Sequence, residues 1–214
     1  MEKQPLILVP GTWSWDGEFP FDQPKPGDHP QWYQAGAIAR TGLENAGFEV
    51  ATFPWSTALG GIGFGSKDLV TWRGAAIHLK EFVKCHFPDK KIWILSHSHG
   101  LQVVLFAALY GLEIEKLFDV SGPFRRDMED AIKIAKPNIK SWTHFRGEWW
   151  KDRMAGYGGL FDSWDPRTWG RNPRSHPYSD RTVKIDGAGH STGLYEKEQF
   201  DMILTEMTKD NKNG

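Results

Sequence analysis

The sequence is poor in the features that mark several large protein classes. It has a single cysteine, Cys85, in 214 residues, so no disulfide framework can form within the chain. A reducing compartment, the cytoplasm, is therefore the expected location. No apolar run approaches the roughly 20 residues of a membrane-spanning helix, and the mean hydropathy is −0.52. Neither sign of charge is in excess: 26 Lys and Arg against 27 Asp and Glu leave a formal net charge of −1. A domain that grips nucleic acid through its phosphates needs a basic face, so nucleic acid is not an expected partner. Met1-Glu2-Lys3-Gln4-Pro5 lacks the basic start, apolar stretch and cleavage site of a secretory signal. There is no internal repeat and no low-complexity segment.

What is abundant is tryptophan, 11 residues, several times the usual share. The length fits a single domain, residues 1–214, able to bury a sizeable core. Short apolar runs alternate with helical periodicities. Leu6-Ile7-Leu8-Val9 reads as a strand apolar on both faces, closed by Pro10-Gly11. Further strands are expected at 48–53, 91–95, 114–120, 139–145 and 183–185. Helical spacing covers 31–46, 67–87, 101–110, 125–135 and 196–208, with Gly47, Pro88, Gly111 and Pro137 as stops. The tail beyond 208 is expected to fray. Segments 12–30 and 55–66 read as loops, and 146–179, rich in Trp, Gly and Arg, reads as a long loop or small cap. Strands alternating with helices argue an α/β class: a mostly parallel sheet of about six strands, covered on both faces, with no large separate lid domain. Ligands of such sheets bind beyond the carboxyl ends of the strands. The residues just after each strand are therefore the ones to examine.

After the third strand comes Ser96-His97-Ser98-His99-Gly100 and then a very apolar helix. Ser98 sits at a sharp strand-to-helix turn in a Ser-x-Ser-x-Gly setting, close to the Gly-x-Ser-x-Gly turn that projects a nucleophilic hydroxyl out of a sheet. Small flanking residues are needed because strand and helix approach closely there. The same turn aims the His99 backbone N–H and the helix N-terminus at a developing oxyanion. A serine in an ordinary turn is the plain alternative. His97-x-His99 would also open a binuclear metal site, but Gly100-Leu101-Gln102 supplies no further ligand. His190, in Gly187-Ala188-Gly189-His190 after the last strand, is the candidate general base, its plain alternative being a surface histidine. An acid to orient it should follow the fifth strand, where Glu148 and Asp152 compete. Asp16, Asp119 and Asp186 are weaker candidates, Asp119 because it falls inside a strand. Thr12, after the first strand, is the natural second oxyanion donor.

With these residues in hand, nearly the whole chain, about residues 5–208, resembles the α/β-hydrolase superfamily, in particular its small lipase- and esterase-like members. The marks are Leu6 to Thr12, Ile92 to Gly100, Val120 to Met128 and Gly187 to His190. The resemblance implies a minimal α/β-hydrolase fold that starts at the family's third strand. It implies Ser98 as nucleophile, His190 as base, an acid after the fifth strand, and Thr12 and His99 as backbone oxyanion donors. Asp152, Met154 and Gly158 match a spacing that often follows the acid in related sequences, which favours Asp152 over Glu148. Ser96 in place of the first elbow glycine and Pro10-Gly11 in place of His-Gly are departures. No metal or organic cofactor is implied.

The expected activity is cleavage of a carboxylic ester through an acyl-enzyme on Ser98. A thioesterase, amidase or lactonase would use the same parts, and a binding protein on a hydrolase scaffold is the reading from a different class. Trp13, Trp15, Trp149 and Trp150 lie in loops expected over the site, as do Trp55, Trp164 and Trp169. They are expected either to line a pocket for a small ester with a hydrophobic or aromatic part, or to form the core of irregular loops.

Overall fold

The computed structural model describes residues 3–9, 11, 40–53, 66–148, 176–189 and 197–211. Its frame is a sheet of six strands: β1 (Gln4–Val9), β2 (Phe48–Thr52), β3 (Trp93–His97), β4 (Ile114–Val120), β5 (Ile139–Arg146) and β6 (Arg181–Lys184). All pairings are parallel, and the spatial order is β2-β1-β3-β4-β5-β6. The helices are α1 (Ser66–His86), α2 (Gly100–Leu109), α3 (Glu129–Ala135) and α4 (Lys197–Asn211), with residues 40–45 helical as well.

The period of two along each strand sends alternate side chains to opposite faces. Ile7, Val9, Ile94, Leu117 and Trp142 face one core, closed by Trp72, Ala76, Leu79 and Val83 of α1 together with α2 and α3. Leu6, Leu8, Trp93, Leu95, Phe118, Val120 and Phe145 face the other, closed by Leu43 and by Phe200, Ile203 and Met207 of α4. A sheet apolar on both faces needs both covers, which is why its strands read as continuous apolar runs. The helix α2 packs against the sheet and against α1 and α3, and Gly100 to Ala108 are buried without exception.

The structure moves several expected boundaries. The third strand runs through Ser96 and His97, because their backbones stay in register with Asp119 and Val120. Both side chains are buried, so polarity did not end the strand. The expected helix over 125–135 is a 3₁₀ turn at Arg126–Met128, then α3, then a second 3₁₀ turn at Lys136–Asn138 that takes in Pro137. Arg125 is extended instead of helical, its guanidinium donating two hydrogen bonds to Asp127 at 3.0 and 2.7 Å. The last helix continues to Asn211, beyond the expected fraying point, and the last strand is Arg181–Lys184.

A polar cluster is sealed in the first core. Asp119, inside β4 as the sequence predicts, accepts hydrogen bonds from Trp142 Nε1 at 2.5 Å and Gly122 N at 3.1 Å, and its Oδ1 lies 2.7 Å from His144 Nδ1. A buried carboxylate without such partners would be costly. The His176 ring packs against Trp142 at 4.4 Å, tilted by 42°, and meets Phe124 edge-on. Burial pushes its pKa down to about 4, outweighing the nearby Asp119 carboxylate, which acts in the opposite direction. The unfolded chain takes up this proton below the ordinary value of 6.5, while the fold resists until about 4. Stability therefore falls as pH drops through that window, by up to ~1.4 kcal/mol per pH unit from this one group. In urea titrations at pH 6.5 and 4.5, His176→Phe should lose less stability than wild type, by about 2 kcal/mol. Equal losses would mean that His176 is not held neutral.

Candidate active site

The strand order reverses direction between β1 and β3. The chain leaves β1 towards β2 at one edge, then crosses back to β3 and proceeds to β6 at the other. In open parallel sheets the crevice for a ligand forms at such a switch point, at the carboxyl ends of the diverging strands. The residues at this point are Gly11 and Ser98.

Ser98 is the first residue after β3, and its φ is 50°, in the left-handed region that a residue with a side chain enters at a cost of about 1–2 kcal/mol. Its N–H donates to Val120 O at 3.0 Å and its carbonyl accepts from Leu101 N at 3.1 Å, so one residue links β3, β4 and the first turn of α2. His99 follows as the N-cap of α2, and no acidic side chain occupies that first turn. The partial positive charge of the helix end is thus directed at the Ser98 turn without a carboxylate to offset it. Gly11 lies against this turn: a Cβ at position 11 would stand 2.7 Å from Ser98 Cβ and 3.1 Å from His97 O. Only glycine allows β1 to exit so close to Ser98.

The two strands beyond β4 end in turns that are joined. Glu148 N donates to Ala188 O at 2.7 Å, and Ile185 N donates to Arg146 O at 2.9 Å. A Cβ on Gly147 would stand 2.3 Å from Ala188 O, so this approach also requires glycine. The exits of β5 and β6 are thus in contact through their backbones. The Glu148 carboxylate lies 2.8 Å from Lys184 Nζ, which also holds Asp186 at 2.7 Å. Asp186, foremost, and then Glu148 keep the Lys184 ammonium above its usual range, and the same ion pair lowers Asp186. Asp186 is exposed and occupied by Lys184 in a surface pair.

Of the residues singled out in the sequence, Ser96, His97, Ser98, His99, Asp119, Glu148 and Asp186 are described. Thr12, Trp13, Trp15, Trp149, Trp150, Asp152 and His190 lie outside the described residues, as do Trp55, Trp164 and Trp169. His97 is buried as the last residue of β3, and the His99 ring packs on Trp72 at 5.3 Å. Ser96 is fully buried inside β3. The described tryptophans, Trp72, Trp93 and Trp142, are all core residues.

No protein-family model matches the chain, and no curated protein matches it in sequence. Solved structures do. A predicted CIB-like hydrolase from Thermoplasma acidophilum matches over 97% of this chain and 87% of its own at 14% identity, with a TM-score of 0.59. A carboxylesterase of the thaumarchaeon Nitrososphaera gargenis matches over 99% and 92% at 11% identity, with a TM-score of 0.56. Alpha/beta hydrolase domain-containing protein 10 from mouse matches over 100% and 92% at 11% identity, with a TM-score of 0.55.

The chain has the α/β-hydrolase fold.

Within this fold Ser98 forms the strand-to-helix turn after β3, and Ser96 stands two residues before it. Ser96 fits because it is small and belongs to β3 rather than to the turn. Two features escaped sequence reading: the second left-handed serine, Ser121, and the dependence of the β5 and β6 exits on Gly147. A Gly immediately after a strand was the available signal for the latter. Gly147→Ala should destabilise by about 1–3 kcal/mol, because the clash is with a backbone oxygen that cannot swing aside. Gly74→Ala, in the interior of α1 with no atom near its Cβ, should instead stabilise by about 0.5–1 kcal/mol. Urea midpoints of the two variants check the contrast, and a neutral Gly147→Ala would count against the tight approach.

Proposed function

We propose that this protein is a serine hydrolase that cleaves a carboxylic ester. Ser98 attacks the ester carbonyl and expels the alcohol, leaving an acyl-enzyme. His190 takes the Ser98 proton and passes it to the leaving alcohol. It then activates the water that releases the acid. Asp152, or Glu148 at the start of the same segment, orients His190. The backbone N–H groups of Thr12 and His99 hold the oxyanion.

The observation that carries this reading is the left-handed Ser98, held between β3 and α2 with Gly11 against its Cβ. A strained residue with a side chain at a switch point calls for a function, since a glycine would form the turn at no such cost. The contact between the β5 and β6 exits supports an acid and a base arriving from those two strands. The names of similar structures, carboxylesterase among them, support an ester over other acyl substrates.

A fluorophosphonate probe should label the wild type, and Ser98→Ala should lose labelling by at least ~10³-fold. Labelling that persists in Ser98→Ala moves the nucleophile elsewhere, and a wild type that does not label at all favours a binding protein on this scaffold. Of Asp152→Asn and Glu148→Gln, the variant of the true acid should lower hydrolysis of 4-nitrophenyl butyrate by about 10³- to 10⁴-fold, while the other stays near wild type.

A further inference from the structure

In the core on the α2 face of the sheet, two imidazoles stand side by side with one nitrogen each unused. His144 and His176 are 0% and 2% exposed, and their ring centres are 5.5 Å apart. The Nε2 atoms of both rings are buried and make no hydrogen bond within the protein. A buried polar atom left unpaired costs about 1–3 kcal/mol. Two in neighbouring rings need a physical reason. Packing alone does not supply it, because a phenylalanine at 176 would meet Trp142 and Phe124 with no such cost.

The other nitrogen of each ring fixes the character of these atoms. His144 Nδ1 lies 2.7 Å from Asp119 Oδ1. A carboxylate only accepts, so Nδ1 carries the proton and the neutral ring presents a lone pair at Nε2. His176 Nδ1 accepts from Tyr178 N at 3.4 Å. Burial keeps this ring neutral down to about pH 4, so its one proton is on Nε2. The two unused nitrogens are thus complementary, an acceptor on His144 and a donor on His176.

Both rings are held where they are. Asp119, which fixes His144, itself accepts from Trp142 Nε1 and Gly122 N. The turn that carries His176 is tied to β5 through Asp180, whose N–H donates to Trp142 O at 2.9 Å and whose carboxylate accepts from Trp142 N at 2.8 Å. It is tied to α3 through the Tyr178 hydroxyl, which donates to Glu129 at 2.7 Å. The imidazoles therefore stay 5.5 Å apart, without a direct bond but within the span of a bridge. Water donates and accepts at once, and buried polar sites of this kind take it up.

We propose that His144 and His176 form an internal water site: one water accepts from His176 Nε2–H and donates to His144 Nε2. The bridge ties the turn at the entry to β6 to the Asp119 cluster in the middle of the sheet. It is the inward counterpart of the outward ties made by Asp180 and Tyr178.

The test pairs a high-resolution crystal structure of the whole chain, prepared without chelator, with NMR of the imidazole nitrogens at neutral pH. Both are applied to wild type and His176→Phe. Wild type should show a solvent peak about 2.7–3.2 Å from both Nε2 atoms. In solution the His176 Nε2–H should give a cross-peak to water, and His144 Nε2 should resonate as an unprotonated nitrogen. His176→Phe should lose the peak and the cross-peak while the His144 Nδ1–H signal remains. A dry gap in wild type, a direct bond between the two rings, or a peak that persists in His176→Phe overturns the proposal. So does a peak about 2.0–2.1 Å from both nitrogens with anomalous scattering, which would make the site one for a metal ion. If His176→Phe does not fold, the wild-type peak and cross-peak decide alone.

Discussion

The site depends on one close approach, that of the β1 exit to the β3 exit at Gly11 and Ser98. Parallel strands leave their carboxyl ends at one edge, and the reversal of strand order between β1 and β3 lets those ends diverge. Ser98 enters the left-handed region to turn at once into α2, and Gly11 gives up its side chain so that β1 can end against that turn. The fold meets the local cost of about 1–2 kcal/mol through the surrounding packing. The strands on both sides of Ser98 are buried, and α2 behind it lies wholly in the core.

The rest of the edge follows from the same ladder. The Ser98 N–H is bound by β4, the Ser121 N–H by β5, and the Ile185 N–H by the end of β5. The first residue after each of β3 and β4 is thus fixed to the neighbouring strand rather than left to a loop. Behind this edge, Asp119 ties Gly122, Trp142 and His144 into one buried cluster. That cluster anchors the turn containing Ser121 from below, on the face of α2. Positions at the carboxyl edge therefore have the rigidity of the sheet, which suits groups that must meet within a hydrogen-bond length.

Most of the architecture was legible in the sequence. The six strands, their parallel arrangement and the cover on both faces follow from apolar runs too hydrophobic for a half-exposed strand, alternating with helical spacing. The tight turn at Ser98 was legible because small residues flank it between an apolar strand and an apolar helix. Boundaries were less so. Ser96 and His97 look like the start of a turn, but the backbone ladder holds them in β3 regardless of side-chain polarity. Residues 125–135 look like a helix stopped by Pro137, but the Arg125–Asp127 pair keeps the first residue extended and leaves only Glu129–Ala135 as α-helix.

Local pattern determines which face of each strand is apolar, where glycine is required and where a serine stands at an elbow, because these depend on neighbours within a few residues. Tertiary structure decided what those residues meet. That Gly11 touches Ser98, that Gly147 touches Ala188 and that Ser121 stands in the row between β3 and β5 all depend on strand order and register. The partners in these contacts are separated by up to 87 positions in the sequence. Pairing over such distances is set by burial of the whole sheet, and no window of sequence contains it.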